Sequence, residues 1–464
     1  MTPVSPPTIA AIATPIGEGA LSLVRLSGEH AIAIAESVFR GRTSLGAAAG
    51  YTIHHGRIVN GAGETVDDVL AALFRAPHSY TGEDAVEFSC HGGLVVTEAV
   101  LAALIAAGAR HAGPGEFSRR AFLNGKMDLS QAEAVADLIA SSSERARAVS
   151  MRQLEGKLGE KVRELRANLT SLCALLEIDL DFAEEGIGVI DRNEIGDRLR
   201  VILEALRTMI ESYSSGRLAR EGVGVVLTGK PNAGKSSLFN ALLKEDRAIV
   251  TPHPGTTRDT IEERVLINGL LFRLIDTAGL RQATDPAEEA GVTRTHASVR
   301  SADIIVLVED GSLPVEEREI ETAVADCIGN QKLIVALNKS DLPSRTVDSE
   351  IYPRLSARGS RVVKTSAITG AGLQELRSAL YESVARDARD ATSGIEVTSR
   401  RHLDALTRAS VAITEAMQTL DAGRSNEFVA LDVRDAILAL GEITGDVTSE
   451  EILNTVFSKF CIGK

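Results

Sequence analysis

The chain has 464 residues, of which 44% are hydrophobic and 25% are charged, proportions typical of a soluble globular protein with about three domains. Its formal net charge of −14 argues against indiscriminate binding to nucleic acid, while leaving room for a local basic surface. The four cysteines are scattered without metal-ligand or disulfide spacing, and no apolar run approaches membrane-spanning length. No Lys or Arg precedes Arg25, so we expect no secretory signal and a cytoplasmic protein.

Residues 1–126 predict a mixed α/β unit. Turn signals separate short strand-like runs at residues 9–13, 20–26, 69–75 and 85–89. An apolar helix is expected at 94–108. Cys90 and His91 fall between the last strand and this helix, and adjacent side chains on an extended chain point to opposite faces. A tight turn is therefore favoured over a catalytic cysteine–histidine pair.

Residues 127–219 have a helical pattern. Ser130–Glu133 fits a capping box before an alanine-rich run. Apolar residues then recur at spacings of three and four, which is typical of the core of a helical bundle: Leu154, Leu158, Val162, Leu165, Leu169, Leu172 and Leu176. A third helix is expected at 194–213, and the Ser-Ser-Gly stretch at 214–216 is expected to lead into the next domain.

The stretch that follows carries a phosphate-loop motif. The β-branched run Val223–Thr228 predicts a buried strand, and it continues into G-x-x-x-x-G-K-S at residues 229–236. The glycines allow backbone N–H groups to surround phosphate oxygens, and the following helix points its positive end at the same place. Lys235 is expected to reach the β- and γ-phosphates and Ser236 to hold Mg²⁺. The strand–loop–helix context argues against a chance match in a glycine-rich chain.

Two further motifs specify a guanine nucleotide. Asp276–Gly279 follows an apolar strand and reads D-x-x-G, in which the aspartate binds Mg²⁺ through water and the glycine N–H senses the γ-phosphate. Asn338–Asp341 reads N-K-x-D. The carboxylate of Asp341 can accept both N–H donors of the guanine edge, and adenine offers no such pair. Ser366 and Ala367 are expected to close over the base, which completes a GTPase domain at 220–385.

Hydrolysis needs a group other than the usual glutamine. Ras-like switches carry that glutamine directly after D-x-x-G, where this chain has Leu280, which cannot orient water. The carboxamide of Asn232 is a candidate ligand for a monovalent cation beside the phosphates, and Glu288 is a candidate for holding water. A turn-forming asparagine and a solvated glutamate are the alternatives, and the residues alone leave them open.

The sequence becomes helical again at 386–464, with helices expected at 400–420, 431–440 and 450–457. Helices on both sides of the GTPase unit suggest that it is inserted into one helical domain. This last segment has 9 Lys or Arg and 13 Asp or Glu, which does not predict a basic RNA-binding tail.

The end of the chain has an anchoring pattern. Ile452, Val456 and Phe460 share one helix face, which is expected to hold the tail 457–464 in the helical domain. Gly463 then frees Lys464 to reach toward the N-terminal domain. A frayed end is the alternative.

The chain resembles the bacterial tRNA modification GTPases called MnmE or TrmE across essentially its whole length. Within the GTPase unit, the resemblance rests on residues 229–236, on G-T-T-R-D at 255–259 and on D-T-A-G-L-R at 276–281. Outside it, the resemblance rests on P-G-E-F-S at 114–118, on R-A-F-L-N at 120–124 and on F-C-I-G-K at 460–464. A generic GTPase resemblance explains none of the features outside the GTPase unit.

This resemblance implies an α/β and α multidomain fold. It would contain an N-terminal α/β folate-binding and dimerisation domain (1–126), a helical domain (127–219 and 386–464) and an inserted Ras-like P-loop GTPase domain (220–385). A homodimer is implied, working with the FAD-dependent partner MnmG and without a membrane. The implied reaction adds an aminomethyl or carboxymethylaminomethyl group to carbon 5 of the wobble uridine of certain tRNAs. A tetrahydrofolate derivative, with 5-formyltetrahydrofolate as the expected bound form, supplies the one-carbon unit.

The resemblance also implies site residues. GTP or GDP would be bound by Asn232, Ala233, Gly234, Lys235, Ser236, Ser237, Thr251, Thr256, Thr257, Asp276, Thr277, Ala278, Gly279, Asn338, Lys339, Asp341, Ser366 and Ala367. Ser236 and Thr257 would hold Mg²⁺. K⁺, which would pair the GTPase domains and replace an arginine finger, would be held by Asn232, Thr251, His253 and Thr256.

The remaining implied residues concern catalysis and folate. Glu288, Lys235 and Cys461 are the catalytic candidates, with the chemical role of Cys461 open. Folate would be bound by Arg25, Glu87, Lys126 and Lys464. Pro252 and Pro254 make the loop around His253 stiffer than the family pattern leads us to expect.

Two other classes of function remain as alternatives. A ribosome-assembly GTPase would be a binding factor, and the acidic C-terminal segment counts against it. A folate-dependent one-carbon enzyme would use GTP only for regulation.

Overall fold

The computed structural model describes residues 6–183, 191–246, 262–276, 302–314, 331–343, 355, 360–389 and 395–464. The chain divides into two compact units. The first consists of Met1–Ala136, Leu154–Val189 and Arg424–Lys464, and the second of Asp137–Gln153 and Ile190–Gly423. The domain boundaries expected at 126/127, 219/220 and 385/386 stay predictions. None of the described helices is long and apolar enough to cross a membrane.

The first unit is built on a sheet with the strand order β3-β4-β5-β6-β2-β1-β7. Its strands are β1 (Ile9–Ile12), β2 (Leu21–Ser27), β3 (Phe39–Gly41), β4 (Thr52–Val59), β5 (Thr65–Phe74), β6 (Ala85–His91) and β7 (Arg110–His111). All neighbouring strands are antiparallel except β1 and β7, which are parallel. The four strands expected from the sequence are β1, β2, β5 and β6.

One face of this sheet carries the core. Burial alternates along β5 and β6, as expected for strands with one covered face. The covering helices are α1 (Ala31–Val38) and α2 (Leu94–Ala106), which pack against the sheet. Cys90 and His91 belong to the end of β6 and not to a turn, which corrects the expectation. Cys90 is buried and His91 is exposed, so the two side chains do lie on opposite faces.

Helices complete the first unit. They are α3 (Glu116–Leu123), α4 (Leu129–Ala140), α6 (Lys157–Ala183), α12 (Asn426–Thr444) and α13 (Glu450–Phe457). The end of α4 and nearly all of α5 (Glu144–Leu154), which lies between α4 and α6 in the chain, belong to the second unit. The apolar stripe from Leu158 to Leu176 is buried as predicted, and α6 packs against α12. Leu154 is an exception because it ends α5, and Gly156 separates it from α6 with a φ of +86°.

The capping box expected at Ser130–Glu133 is wrong. The Asp128 carboxylate accepts the Gln131 backbone N–H at 2.9 Å, and the Gln131 side-chain oxygen accepts the Asp128 N–H at 3.0 Å. The reciprocal pair therefore lies two residues earlier, with aspartate and glutamine in the roles of serine and glutamate. The expected start of α12 at residue 431 is also late, because Ser425 accepts the Glu427 N–H and begins the helix there.

The second unit contains a sheet with the strand order β13-β12-β11-β8-β10-β9. Its strands are β8 (Val223–Thr228), β9 (Glu262–Ile267), β10 (Leu270–Asp276), β11 (Ile304–Asp310), β12 (Lys332–Asn338) and β13 (Arg361–Lys364). Among the strands that the structure describes here, only the β9–β10 pair is antiparallel. Nearly continuous burial of the central strands is typical of a parallel sheet covered on both faces.

Helices flank this sheet and continue the unit. They are α7 (Arg192–Glu211), α8 (Tyr213–Glu221), α9 (Lys235–Asp246), α10 (Leu373–Arg389) and α11 (Arg400–Asp421). The Ser-Ser-Gly stretch at 214–216 lies inside α8, and this helix leads into β8, as expected. Gly216 is needed for close packing, because a Cβ there would lie 2.4 Å from the carbonyl oxygen of Val397.

Candidate functional site

The loop between β8 and α9 has a shape that requires glycine at two positions. Gly229 has a φ of +136°, and a Cβ on it would lie 2.2 Å from the carbonyl oxygen of Val308. Gly234 has a φ of +94°, and its Cβ would lie 2.2 Å from the side-chain nitrogen of Asn338. Asn232 is exposed and has a φ of +64°, in the left-handed region. The sequence motif therefore forms the curved loop that it predicts.

The ammonium of Lys235 lies inside this curve. It donates to the carbonyl oxygens of Gly229 at 2.9 Å and Lys230 at 2.6 Å, and the side chain is almost fully buried. Helix α9 begins at the same residue, so its positive end faces the loop. Ser236 and Ser237 follow in the first turn, where they are exposed. A cation, loop N–H groups and a helix terminus in one place fit the phosphates of a nucleotide.

Asn338 joins three segments at the carboxyl end of the sheet. Its Nδ2 donates to the carbonyl oxygen of Ala233 at 2.9 Å, and its Oδ1 accepts the N–H of Ala367 at 3.1 Å. The residue is buried. Asn338 therefore fixes the phosphate loop relative to the 366–367 loop, a role beyond the nucleotide contact expected from the motif.

The base-recognition residues are positioned by their neighbours. The Ser366 hydroxyl donates to Asp341 Oδ1 at 2.6 Å, so the serine orients the carboxylate. Lys339 has a φ of +62°, and its ammonium lies 2.6 Å from Asp310 Oδ2. Burial raises the pKa of Asp310, but hydrogen bonds from Lys339 and Ser312 outweigh it and hold this pKa below its ordinary value. The sequence motifs did not predict a role for Asp310. Its position at the end of β11, the strand paired with β12, is the signal that could have indicated it.

Part of the expected GTP site cannot be placed. Asp276 is the last residue of β10. The remaining residues expected to bind GTP, Mg²⁺ or K⁺ or to orient water lie outside the described residues: Thr251, His253, Thr256, Thr257, Thr277, Ala278, Gly279 and Glu288. Their roles stay predictions.

A second cluster lies in the first unit, on the neighbouring strands β2 and β6. Arg25 and Glu87 are cross-strand partners, and Arg25 Nε lies 2.7 Å from Glu87 Oε1. The Arg25 guanidinium stands 5.3 Å from the ring centroid of Tyr80 and 5.6 Å from that of Phe117. The Tyr80 hydroxyl shares a hydrogen bond of 2.8 Å with Ser118. The two aromatic residues hold the guanidinium by cation–π contacts. Tyr80 was not named from the sequence, and Phe117 was named only as part of the P-G-E-F-S motif at 114–118.

The C-terminal tail is docked beside this cluster. Val456, Phe457 and Phe460 are buried in an apolar cluster with Leu129 of α4, and Ile452 packs against that cluster while partly exposed. The anchoring face predicted from the sequence is confirmed.

Backbone contacts continue this docking to the last residue. Ile462 pairs with Pro114 in an antiparallel β-bridge, and the Phe117 N–H donates to the carbonyl oxygen of Lys464 at 3.1 Å. The tail is therefore ordered by specific contacts, not frayed.

Phe117 links Lys464 to Arg25, because its N–H donates to the carbonyl oxygen of Lys464 at 3.1 Å and its ring lies 5.6 Å from the Arg25 guanidinium. Burial lowers the pKa of Lys464 and the nearby Arg25 cation lowers it further, while Cys461, which is exposed, acts in the opposite direction. The structure thus brings together three of the four residues expected to bind folate. The fourth, Lys126, donates to the carbonyl oxygen of Pro77 at 3.0 Å, in the loop that carries Tyr80.

The described part of the chain contains no group of three or more His, Cys, Asp or Glu residues that could hold a metal ion. The phosphate loop follows β8 and the N-K-x-D segment ends β12, two strands that β11 separates in the parallel part of the sheet. Both motifs lie at carboxyl ends of these strands, which defines the class of the second unit as a P-loop guanine-nucleotide-binding domain.

Comparisons with known proteins name the family. The family model described as "GTP-binding protein TrmE N-terminus" matches residues 8–126, and the one described as "MnmE helical domain" matches residues 129–461. The tRNA modification GTPase MnmE of Chlorobium luteolum is 44% identical over 98% of this chain and 97% of its own length. Those of Acetivibrio thermocellus and Symbiobacterium thermophilum are 41% and 44% identical, each covering 98% of this chain and 99% of the relative. The chain belongs to the MnmE family of tRNA modification GTPases.

The family and the α/β and α multidomain fold predicted from the sequence are confirmed. Among solved structures, the G domain of the T. maritima FeoB iron transporter is 29% identical and covers 35% of this chain and 98% of its own, with a TM-score of 0.26. A similarity this low supports no argument about function.

Proposed function

We propose that this protein hydrolyses GTP in the course of tRNA modification in the cytoplasm. With the FAD-dependent protein MnmG, it adds an aminomethyl or carboxymethylaminomethyl group to carbon 5 of the wobble uridine. The observation that carries the proposal is the approach of Lys464 to Arg25 on either side of Phe117, in a chain that also contains the guanine-specific segment. The Phe117 N–H donates to the carbonyl oxygen of Lys464 at 3.1 Å, and its ring lies 5.6 Å from the Arg25 guanidinium. A GTPase without folate chemistry has no need for that approach.

Guanine selectivity rests on Asp341. As a carboxylate it offers only acceptors, and Ser366 already occupies one lone pair, which leaves the other oxygen and the remaining lone pairs for the two N–H groups of guanine. Asn338 supports this arrangement by tying the 366–367 loop to the phosphate loop. A buried donor without a partner is costly, so such a site discriminates strongly between bases.

The phosphate end of the site would hold two cations. Ser236 and Thr257 would bind Mg²⁺, which neutralises charge on the phosphates, and Asn232, Thr251, His253 and Thr256 would bind K⁺. The left-handed backbone and exposed side chain of Asn232 support the K⁺ assignment, because they leave the carboxamide accessible beside the loop. Glu288 would orient the water network in place of the glutamine that Leu280 replaces.

The Arg25 cluster would bind a tetrahydrofolate derivative, 5-formyltetrahydrofolate being the expected bound form, which supplies the one-carbon unit when bound. Arg25 provides N–H donors, Glu87 provides acceptors, and Tyr80 and Phe117 provide flat apolar surfaces, a combination that fits a pterin ring with a polar edge. Lys464 would add a cation for the folate. Lys126 would contribute through the loop it contacts.

A homodimer through the first unit is part of the proposal. The sheet face opposite α1 and α2 exposes Leu21, Ile53 and Leu70, whereas surface residues of this size are usually scattered. A second copy of the same face is self-complementary, as a two-fold interface requires.

The test is the composition of wobble-uridine nucleosides in tRNA. Cells lacking the gene should lose the modified nucleosides, the wild-type gene should restore them, and Asp341→Asn and Lys464→Gln should each fail to restore them. Ribosome defects with unchanged nucleosides would favour the assembly-factor alternative. Full restoration by Asp341→Asn alone would favour a folate enzyme in which GTP only regulates.

A further inference from the structure

A cavity of 480 Å³ in the first unit has no role in the sites described above. It lies between α3 and α13, and its lining includes Arg119, Arg120, Leu123, Asn124, Asn454 and Ser458. None of the four residues assigned to folate lines it. The volume lies within the range of about 300–1,000 Å³ usual for small-molecule sites and accommodates one nucleotide.

One wall of the cavity is held rigidly by buried charges. Arg120 is 6% exposed, and its guanidinium lies 3.2 Å from both carboxylate oxygens of Glu83 and 3.0 Å from Glu116. Glu116 is also paired with Arg110. The two carboxylates are thus neutralised by arginines, and the wall carries no uncompensated charge that would demand a small ion.

The remaining lining suits a pyrimidine nucleotide. Asn454 is exposed on α13, and its carboxamide offers one acceptor and a two-proton donor, the combination that pairs with the O4 and N3–H edge of uracil. Leu123 and Phe457 provide apolar surface for the face of the base. Arg110 and Arg119 are partly exposed and paired with Glu116 and Glu450, so each would share its guanidinium between that carboxylate and a backbone phosphate.

The cavity also borders the docked tail. Pro114, which lines the cavity, pairs with Ile462, and the next residue, Gly115, directs its N–H toward the carbonyl oxygen of Cys461 at 3.5 Å. A base in the cavity would therefore sit beside the tail segment that also carries Lys464 to Arg25. This proximity is what a reaction at carbon 5 of a uridine requires.

We propose that this cavity receives the wobble uridine, extruded from the anticodon loop. The inference rests on the proposed tRNA modification and adds to it the place where the substrate base is held. Extrusion is inexpensive in a single-stranded loop, because no base pair has to be broken. The net charge of −14 is consistent with this mode of RNA binding, because the base would be recognised in one pocket and not by a broad basic surface.

The test compares anticodon stem-loop RNAs with a uridine or an abasic site at the wobble position, each bound to the full-length protein and measured by fluorescence anisotropy. Wild type should bind the uridine RNA about tenfold more tightly, the order expected for one stacked and hydrogen-bonded base. Asn454→Leu and Ser458→Leu should each reduce this ratio to below twofold by filling the cavity. Thr455→Leu is the matched control, since Thr455 is an exposed neighbour on α13 that does not line the cavity, and it should keep the wild-type ratio.

A second measurement makes the outcome independent of folding. RNA with 4-thiouridine at the wobble position should crosslink, on irradiation of the wild-type protein, to peptides within 110–124 or 454–458. GTP hydrolysis and 5-formyltetrahydrofolate binding should be unchanged in Asn454→Leu and in Ser458→Leu. Crosslinks to other parts of the protein would overturn the proposal. So would a wild-type ratio of the affinities for uridine and abasic RNA in both Asn454→Leu and Ser458→Leu. Failure of the proposed function gives a different result, namely tRNA nucleosides that do not change when the gene is deleted.

Discussion

Replacing Gly463 by alanine should release the C-terminal tail. Gly463 is buried and has a φ of +97°, and a Cβ there would lie 2.1 Å from the carbonyl oxygen of Ile12 and 3.0 Å from Ala13 Cα. Both neighbours are backbone atoms, which cannot rotate away as a flexible side chain would. The alanine variant must therefore move the tail away from β1 or accept a severe overlap.

The size of the effect follows from two terms. The left-handed backbone costs a non-glycine residue about 1–2 kcal/mol, and inserting a methyl group into a packed site typically costs about 1–3 kcal/mol. Together they amount to about 2–5 kcal/mol, or about 30- to 5,000-fold in the equilibrium between docked and released tail at 1.36 kcal/mol per tenfold. GTP hydrolysis should not change, because no nucleotide motif is involved.

The assay is hydrogen exchange at the Phe117 amide, which donates to the carbonyl oxygen of Lys464. The exchange of this amide should accelerate by up to the same factor as tail release. Folate binding should weaken as well, because the released tail carries Lys464. Gly423→Ala is the control, because Gly423 has a φ of +69° and nothing lies within 4 Å of its Cβ. That variant carries the backbone strain without the collision. If Gly463→Ala leaves both Phe117 exchange and folate binding as they are in Gly423→Ala, the packing of Gly463 against β1 does not hold the tail in place.

Three further outcomes are expected. Asp341→Asn should weaken GTP binding by about 5- to 160-fold, from the loss of hydrogen bonds worth about 1–3 kcal/mol, and should improve xanthosine triphosphate binding; unchanged GTP affinity in a titration would contradict it. Hydrolysis should be faster in K⁺ than in Na⁺ at equal ionic strength, Asn232→Ala should remove that preference, and Glu288→Ala should slow turnover in either salt; equal wild-type rates would exclude the K⁺ site. Because burial and the Arg25 cation lower the pKa of Lys464, Arg25→Gln should raise that pKa, moving the pH midpoint of its amine labelling upward.

The parts of the fold that the sequence predicted well are those governed by local pattern. β8 has the predicted bounds because a short β-branched run followed by a glycine-rich loop has few other conformations. The stripe from Leu158 to Leu176 is buried because its spacing matches one helix face. The Ser130–Glu133 capping box failed for the opposite reason: Asp128 and Gln131 satisfy the same chemistry two residues earlier, and only the helix start decides between them.

The candidate sites were predicted less completely. Motifs contain the residues that contact a ligand, but not the residues that hold those side chains in position. Asn338 was expected to contact the nucleotide, yet its hydrogen bonds go to Ala233 and Ala367, which are far apart in the sequence. Tyr80 and Phe117 carry no motif of their own for cation–π contact, so their place beside Arg25 emerges only when the strands and α3 are assembled.

Helix α3 contributes residues to both proposed sites of the first unit. Phe117 and Ser118 face the cluster around Arg25, while Arg119 and Leu123 line the cavity proposed for the uridine. The tail closes over the N-terminal turn of the same helix. One short helix therefore separates and positions the two proposed reactants, so a shift of α3 would disturb both sites together. Folate binding and base-dependent RNA binding should accordingly respond together to tail release and separately to substitutions inside each site.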